Sequence, residues 1–69
     1  MEIDPKSADA WNNKGNALYN LGNYNEAIEC YDQALKIDPK NADARYNKGS
    51  ALAELGKDNE AIECYDQED

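Results

Sequence analysis

Catalytic side chains are scarce in this chain. It has no histidine and no threonine, so acid–base and nucleophilic roles fall to carboxylates, to Ser7 and Ser50, and to the thiols of Cys30 and Cys64. Neither serine has a base at helical spacing, and Ser7 stands where a helix cap belongs. Glu29–Asp32 and Glu63–Asp66 fall on faces that read as solvated, where carboxylates keep ordinary pKa values. The two cysteines lie 34 residues apart with no CxxC pair and no other soft ligand nearby, so zinc is not expected. No glycine-rich loop is present to cradle phosphate, and Asp38–Asp43 lacks the glycine and final glutamate of a calcium loop. Neither catalysis nor a cofactor or metal is expected.

Charge narrows the partners. Fifteen acids against seven bases give a formal charge of −8. That field repels phosphate backbones and anionic membrane surfaces, and no basic stripe interrupts it. Nucleic acid and membrane are therefore not expected partners. No apolar run approaches the roughly 20 residues of a membrane span, and MEIDPKSADA has neither the basic start nor the hydrophobic stretch of a signal peptide. Free thiols suit a reducing compartment, which points to the cytoplasm.

The chemistry that remains is carried by asparagine amides and tyrosine phenols, and a repeat positions them. Shifting the 69-residue chain by 34 residues aligns 1–35 with 35–69, and 23 of the 35 pairs are identical by count. The longest shared block, NEAIECYDQ, is Asn25–Gln33 and again Asn59–Gln67. Self-similarity at a fixed period in this range marks a repeat architecture.

Each unit reads as two helices. The first runs from Ala8 to Leu21, with Ser7 as its cap and Asp9 in its first turn. Ala10, Trp11, Ala17, Leu18 and Leu21 recur at helical steps and form its apolar face. Gly22 ends it. Asn23 then caps a second helix, with Glu26 in the spacing of a capping box. The apolar face of this helix is Tyr24, Ala27, Ile28, Tyr31, Ala34 and Leu35, and Pro39 stops it. Asn41 caps a third helix running to Leu55, and a fourth begins near Asp58. Gly15 and Gly49 lie mid-helix, where glycine costs roughly 1 kcal/mol relative to alanine. Its recurrence at one phase predicts a close backbone approach between paired helices.

The units differ in telling places. Trp11 becomes Arg45, Tyr24 becomes Asp58, Asn23 becomes Lys57, and Ala34 and Leu35 become Glu68 and Asp69. The fourth helix is therefore expected to be the weaker one, frayed after Tyr65.

These residues resemble the tetratricopeptide repeat (TPR). Trp11, Gly15, Leu18, Ala27, Tyr31, Ala34 and Pro39 match the family pattern, and Gly49, Leu52, Ala61 and Tyr65 fill the corresponding places in the second unit. The resemblance implies an all-α fold: antiparallel helix–turn–helix repeats stacked as a short right-handed solenoid of four helices. Residues 1–69 form a single module, with 1–7 as the tail of a preceding repeat, 8–41 as repeat 1 and 42–69 as a truncated repeat 2. It also implies a protein-interaction scaffold whose first helices line a concave groove for a peptide or partner helix. By helical phase that groove presents Asn12, Asn16, Tyr19, Asn20, Tyr46, Asn47 and Ser50, whose amides can pair with an extended main chain. Asn16 and Asn47 resemble the two asparagines of a carboxylate-gripping subclass of TPR. Asn12 stands where that subclass has a lysine, however, so an acidic tail is not the expected ligand. The alternative partner is another copy of the chain. Stacked repeats stabilise one another, and Ala61, Ile62 and Tyr65 are expected to form a self-association face on a homo-oligomer.

Overall fold

The computed structural model describes residues 7–66. These form four helices, and no strand occurs among the described residues: α1 (Ala8–Asn20), α2 (Tyr24–Ile37), α3 (Ala42–Glu54) and α4 (Asp58–Asp66). The expected tail of a preceding repeat, apart from Ser7, lies outside the described residues; of the segment expected to fray after Tyr65, Asp66 is helical and 67–69 lie outside them. Consecutive helices pack on one another, α1 also touches α3, and α4 reaches neither α1 nor α2. This is the neighbour-to-neighbour stacking of a helical-repeat solenoid.

Local chemistry explains most of the boundaries. Ser7 Oγ accepts the Ala10 N–H at 3.2 Å, and Asn41 Oδ1 accepts the Ala44 N–H at 3.0 Å. Each such cap contributes about 1 kcal/mol. Gly22 and Gly56 sit at φ +82° and +80°, the left-handed conformation that ends α1 and α3. Around Gly22 the chain forms a Schellman turn: Gly22 N–H donates to Tyr19 C=O and Asn23 N–H to Leu18 C=O, both at 2.9 Å. Gly56 and Lys57 repeat it onto Ala53 and Leu52. Asp38, the residue before Pro39, is extended and ends α2.

One expected cap is not made. Asn23 forms no side-chain bond to α2. The Schellman turn has already used its backbone N–H, the group a capping-box Glu26 would have bonded. Asn23 closes the first helix with its N–H and opens the second with its C=O, which accepts the Ala27 N–H at 2.9 Å, while its side chain makes no cap bond.

The seam within each repeat is built around glycine and tyrosine. A Cβ at Gly15 would meet the Tyr31 ring at 2.5 Å, and one at Gly49 would meet the Tyr65 ring at 2.6 Å. The expected close approach is therefore of an aromatic ring onto a helix backbone, not of two backbones. Ala27, Tyr31 and Ala51 form the buried cluster, with Leu18, Tyr19, Tyr24 and Ile28 packed on it. Ala34, Leu52 and Cys30 are also buried.

Two expectations about apolar faces are corrected. On α1, Ala17 is exposed and Leu21 is 74% exposed, while Asn12 and Gly15 are the buried residues. Trp11 is half-buried. The reason is visible in the second repeat, where Ala44 and Ala51, the counterparts of Ala10 and Ala17, are fully buried. There α2 covers α3, whereas no helix among the described residues covers that side of α1. On α4, Ala61 is buried in the seam with α3, as Ala27 is with α1. It has no surface to offer another copy, so the exposed part of that predicted face is Ile62 and Tyr65.

The α1–α3 groove as candidate functional site

The same helical phase that buries Gly15 and Gly49 against the second helices sets the polar residues of α1 and α3 side by side. Asn16, Tyr19, Asn20, Tyr46, Asn47 and Ser50 line one recess of about 400 Å³. Six of the seven groove residues expected from the sequence are thus brought together. Asn12, the seventh, is buried beneath them and accepts a bond from Asn47 Nδ2 at 3.1 Å. That bond ties α1 to α3, and Asn12 serves the spacing of the repeats.

Tyr31 is the lining residue that sequence reasoning assigned to packing alone. Its ring passes over Gly15, and its hydroxyl donates to Asn16 Oδ1 at 2.7 Å. The signal was present in the chain, since a mid-helix glycine opens the path by which a residue of α2 reaches the α1 surface. In repeat 2 the same relation sets the Tyr65 hydroxyl 3.4 Å from Ser50 Oγ. Burial pushes the Tyr31 phenol up to about 12, with Tyr19 and Cys30 adding to the effect. Tyr31 is therefore a donor at any physiological pH. Tyr19 is also raised, by burial first and then by Glu54.

These bonds sort the amides. Asn16 has its oxygen engaged, which leaves its Nδ2 hydrogens to donate. Asn47 has its nitrogen engaged, which leaves its Oδ1 to accept. The recess thus carries a donor from α1 and an acceptor from α3. Its aromatic walls are held by ring contacts, Tyr19 edge-on against Tyr24 at 5.2 Å and Tyr46 tilted against Tyr65 at 5.5 Å between ring centroids. Every lining residue is uncharged. Lys48 is turned away, paired with Asp32 at 2.7 Å on the other side of α3.

A family model for the TPR repeat matches residues 15–56. The chain belongs to the TPR family. A comparison with the curated proteins gives no match. TPR repeats are non-catalytic and mediate protein–protein interaction, so the conclusion for this chain is a protein-interaction module. Cys30 and Cys64 are free thiols, and burial raises the pKa of both, which keeps them protonated and weakly nucleophilic at neutral pH. No group of three or more possible metal ligands occurs among the described residues, and no described helix is long and apolar enough to cross a membrane.

Proposed function

We propose that this TPR module binds an extended, uncharged or basic segment of a partner protein in the α1–α3 groove. The observation that carries the reading is the amide pair. Asn16 offers a donor and Asn47 an acceptor, the complement of the C=O and N–H that every residue of an extended chain presents. Tyr19 and Tyr46 flank the pair with large surfaces that have few rotors to freeze on binding. An acidic ligand is disfavoured because no lining residue is cationic and the chain carries −8 overall.

Selection from a displayed random-peptide library, followed by calorimetric titration of the recovered peptides, tests this. The variant to compare is Asn20→Ala/Tyr46→Ala, since both side chains are exposed in the recess and neither supplies a hydrogen bond that holds the helices. Binding should fall at least tenfold with helicity unchanged. Peptides that bind the double variant as tightly as the parent would remove the groove from the reading.

A second reading concerns the ends of the stack, where the partner is another copy of this chain. It is favoured by the contrast between Ala17, exposed on α1, and Ala51, buried at the same phase on α3.

A further inference from the structure

The two repeats supply a template for what would cover the exposed faces. In repeat 2, the crevice beside Lys48 and Leu52 has a wall from the previous repeat, made of Asn25, Ile28 and Asp32 of α2. The matching crevice of repeat 1, beside Lys14 and Leu18, lacks that wall. Its missing residues have counterparts one period on: Asn25 recurs as Asn59, Ile28 as Ile62 and Asp32 as Asp66, each unchanged. All three are exposed on α4. The receiving side is equally conserved between the units, because Ala44, Lys48 and Ala51 of α3 and its C-cap Leu55 match Ala10, Lys14 and Ala17 of α1 and its C-cap Leu21. The chain therefore carries both halves of its own α2–α3 interface a second time, uncovered and at opposite ends of the described stack.

We propose that copies of this chain stack head to tail. The α4 face of one copy seats on the α1 face of the next, in the register α2 and α3 already use, and Asp66 of one copy pairs with Lys14 of the next. This rests on the self-association reading and specifies its faces, register and ion pair. The contact is heterologous, so it builds open chains of copies and not a closed dimer. Charge complementarity favours it locally, as Lys48 and Asp32 already show at 2.7 Å. Two features weaken it relative to the internal interface. Each copy carries −8, and Asp58 stands where Tyr24 packs on the core cluster and donates to Glu54 at 3.4 Å.

Sedimentation velocity over a concentration series of the intact chain provides the test, with three variants. Ala17→Glu spoils only the α1 face and Ile62→Asp only the α4 face, so each alone should sediment as monomer. Their equimolar mixture retains one good pair of faces and should give 1:1 dimers that grow no further. Asp58→Tyr restores the residue of repeat 1 and should strengthen association about tenfold, the scale of a well-placed aromatic contact. Because it adds packing, its outcome does not depend on a damaged fold. A parent chain that remains monomeric throughout, with Asp58→Tyr also monomeric, overturns both the self-association reading and this register. Association that ignores Ala17→Glu or Asp58→Tyr, or a mixture that stays monomeric, overturns the head-to-tail register alone and assigns the contact to other surfaces or to helix exchange.

Discussion

Tyr31 and Tyr65 lie in the same nine-residue block, NEAIECYDQ, and each lays its ring over a mid-helix glycine. Yet Tyr31 is 1% exposed and Tyr65 is 45% exposed. The sequence of the block is identical and so is the ring-on-glycine contact; the surrounding neighbours differ. Tyr31 has α1 on one side and α3 on the other, whereas α4 packs on α3 alone. The alanines show the same relation in reverse, with Ala51 buried where Ala17 is exposed. In a solenoid, burial belongs to a position in the stack as much as to a residue in the sequence, and stability is distributed accordingly.

Truncating the two tyrosines measures that distribution most directly. Tyr31→Ala should cost about 3–5 kcal/mol, as large-to-small changes in a buried aromatic do. A module of this size has about that much stability in total, so the variant should be largely unfolded by circular dichroism at 25 °C. Tyr65→Ala should cost about 1 kcal/mol, because half of that ring already meets water. Equal losses in urea melts would show that both repeats are covered alike in solution.

Alkaline pH probes the buried member of the pair without truncation. The Tyr31 phenol is raised from 10.0 to about 12 by burial. A raised pKa on a group that folds neutral gives stability that is whole below the unfolded value and is lost as pH rises through the folded one. Unfolding should therefore set in between pH 10 and about 12, where ionisation of Tyr31 removes up to about 2–3 kcal/mol. Tyr31→Phe should shrink this alkaline step while costing about 1 kcal/mol at pH 7 through the lost bond to Asn16.

The glycines sharpen the contrast further. In Gly15→Ala the new Cβ meets a ring with nowhere to go, and repacking should outweigh the gain in helix propensity by about 1–2 kcal/mol. In Gly49→Ala the Tyr65 ring can swing outward, so the clash and the propensity gain should cancel to within about 0.5 kcal/mol. Paired thermal melts decide it. A larger loss at Gly49 would mean that the Tyr65 ring is held more firmly than its exposure suggests.

The repeat, the four helices and six of the groove residues were legible from period and helical phase, because those depend only on positions along the chain. Tyr31 as a groove wall, the burial of Asn12 and the exposure of Leu21 were not. Each depends on which helix lies across from it. A hydrophobic stripe announces that a face can be covered, and only the stack decides whether it is. The same holds for the amides: Asn12 and Asn16 are both asparagine at one helical phase, yet one ties two repeats together and the other presents a donor to the groove.

The smallest expected effects concern one serine and two asparagines that look alike in sequence. Ser7, Asn23 and Asn41 all precede helices, and cap statistics rank them as near equals. The structure separates them. Asn41→Ala removes the bond to the Ala44 N–H and should cost about 1 kcal/mol, with Ser7→Ala close behind at a longer bond of 3.2 Å. Asn23→Ala should cost no more than a few tenths, because Asn23 contributes its backbone to the Schellman turn and its side chain bonds nothing in α2. The second repeat has already made this exchange: Lys57 occupies the same turn with the same backbone bond to Leu52, and a lysine side chain accepts no hydrogen bond. A loss near 1 kcal/mol on Asn23→Ala, read from chemical melts of the three single variants, would restore the side-chain cap that the sequence suggested and would leave Lys57 as the unexplained member of the pair.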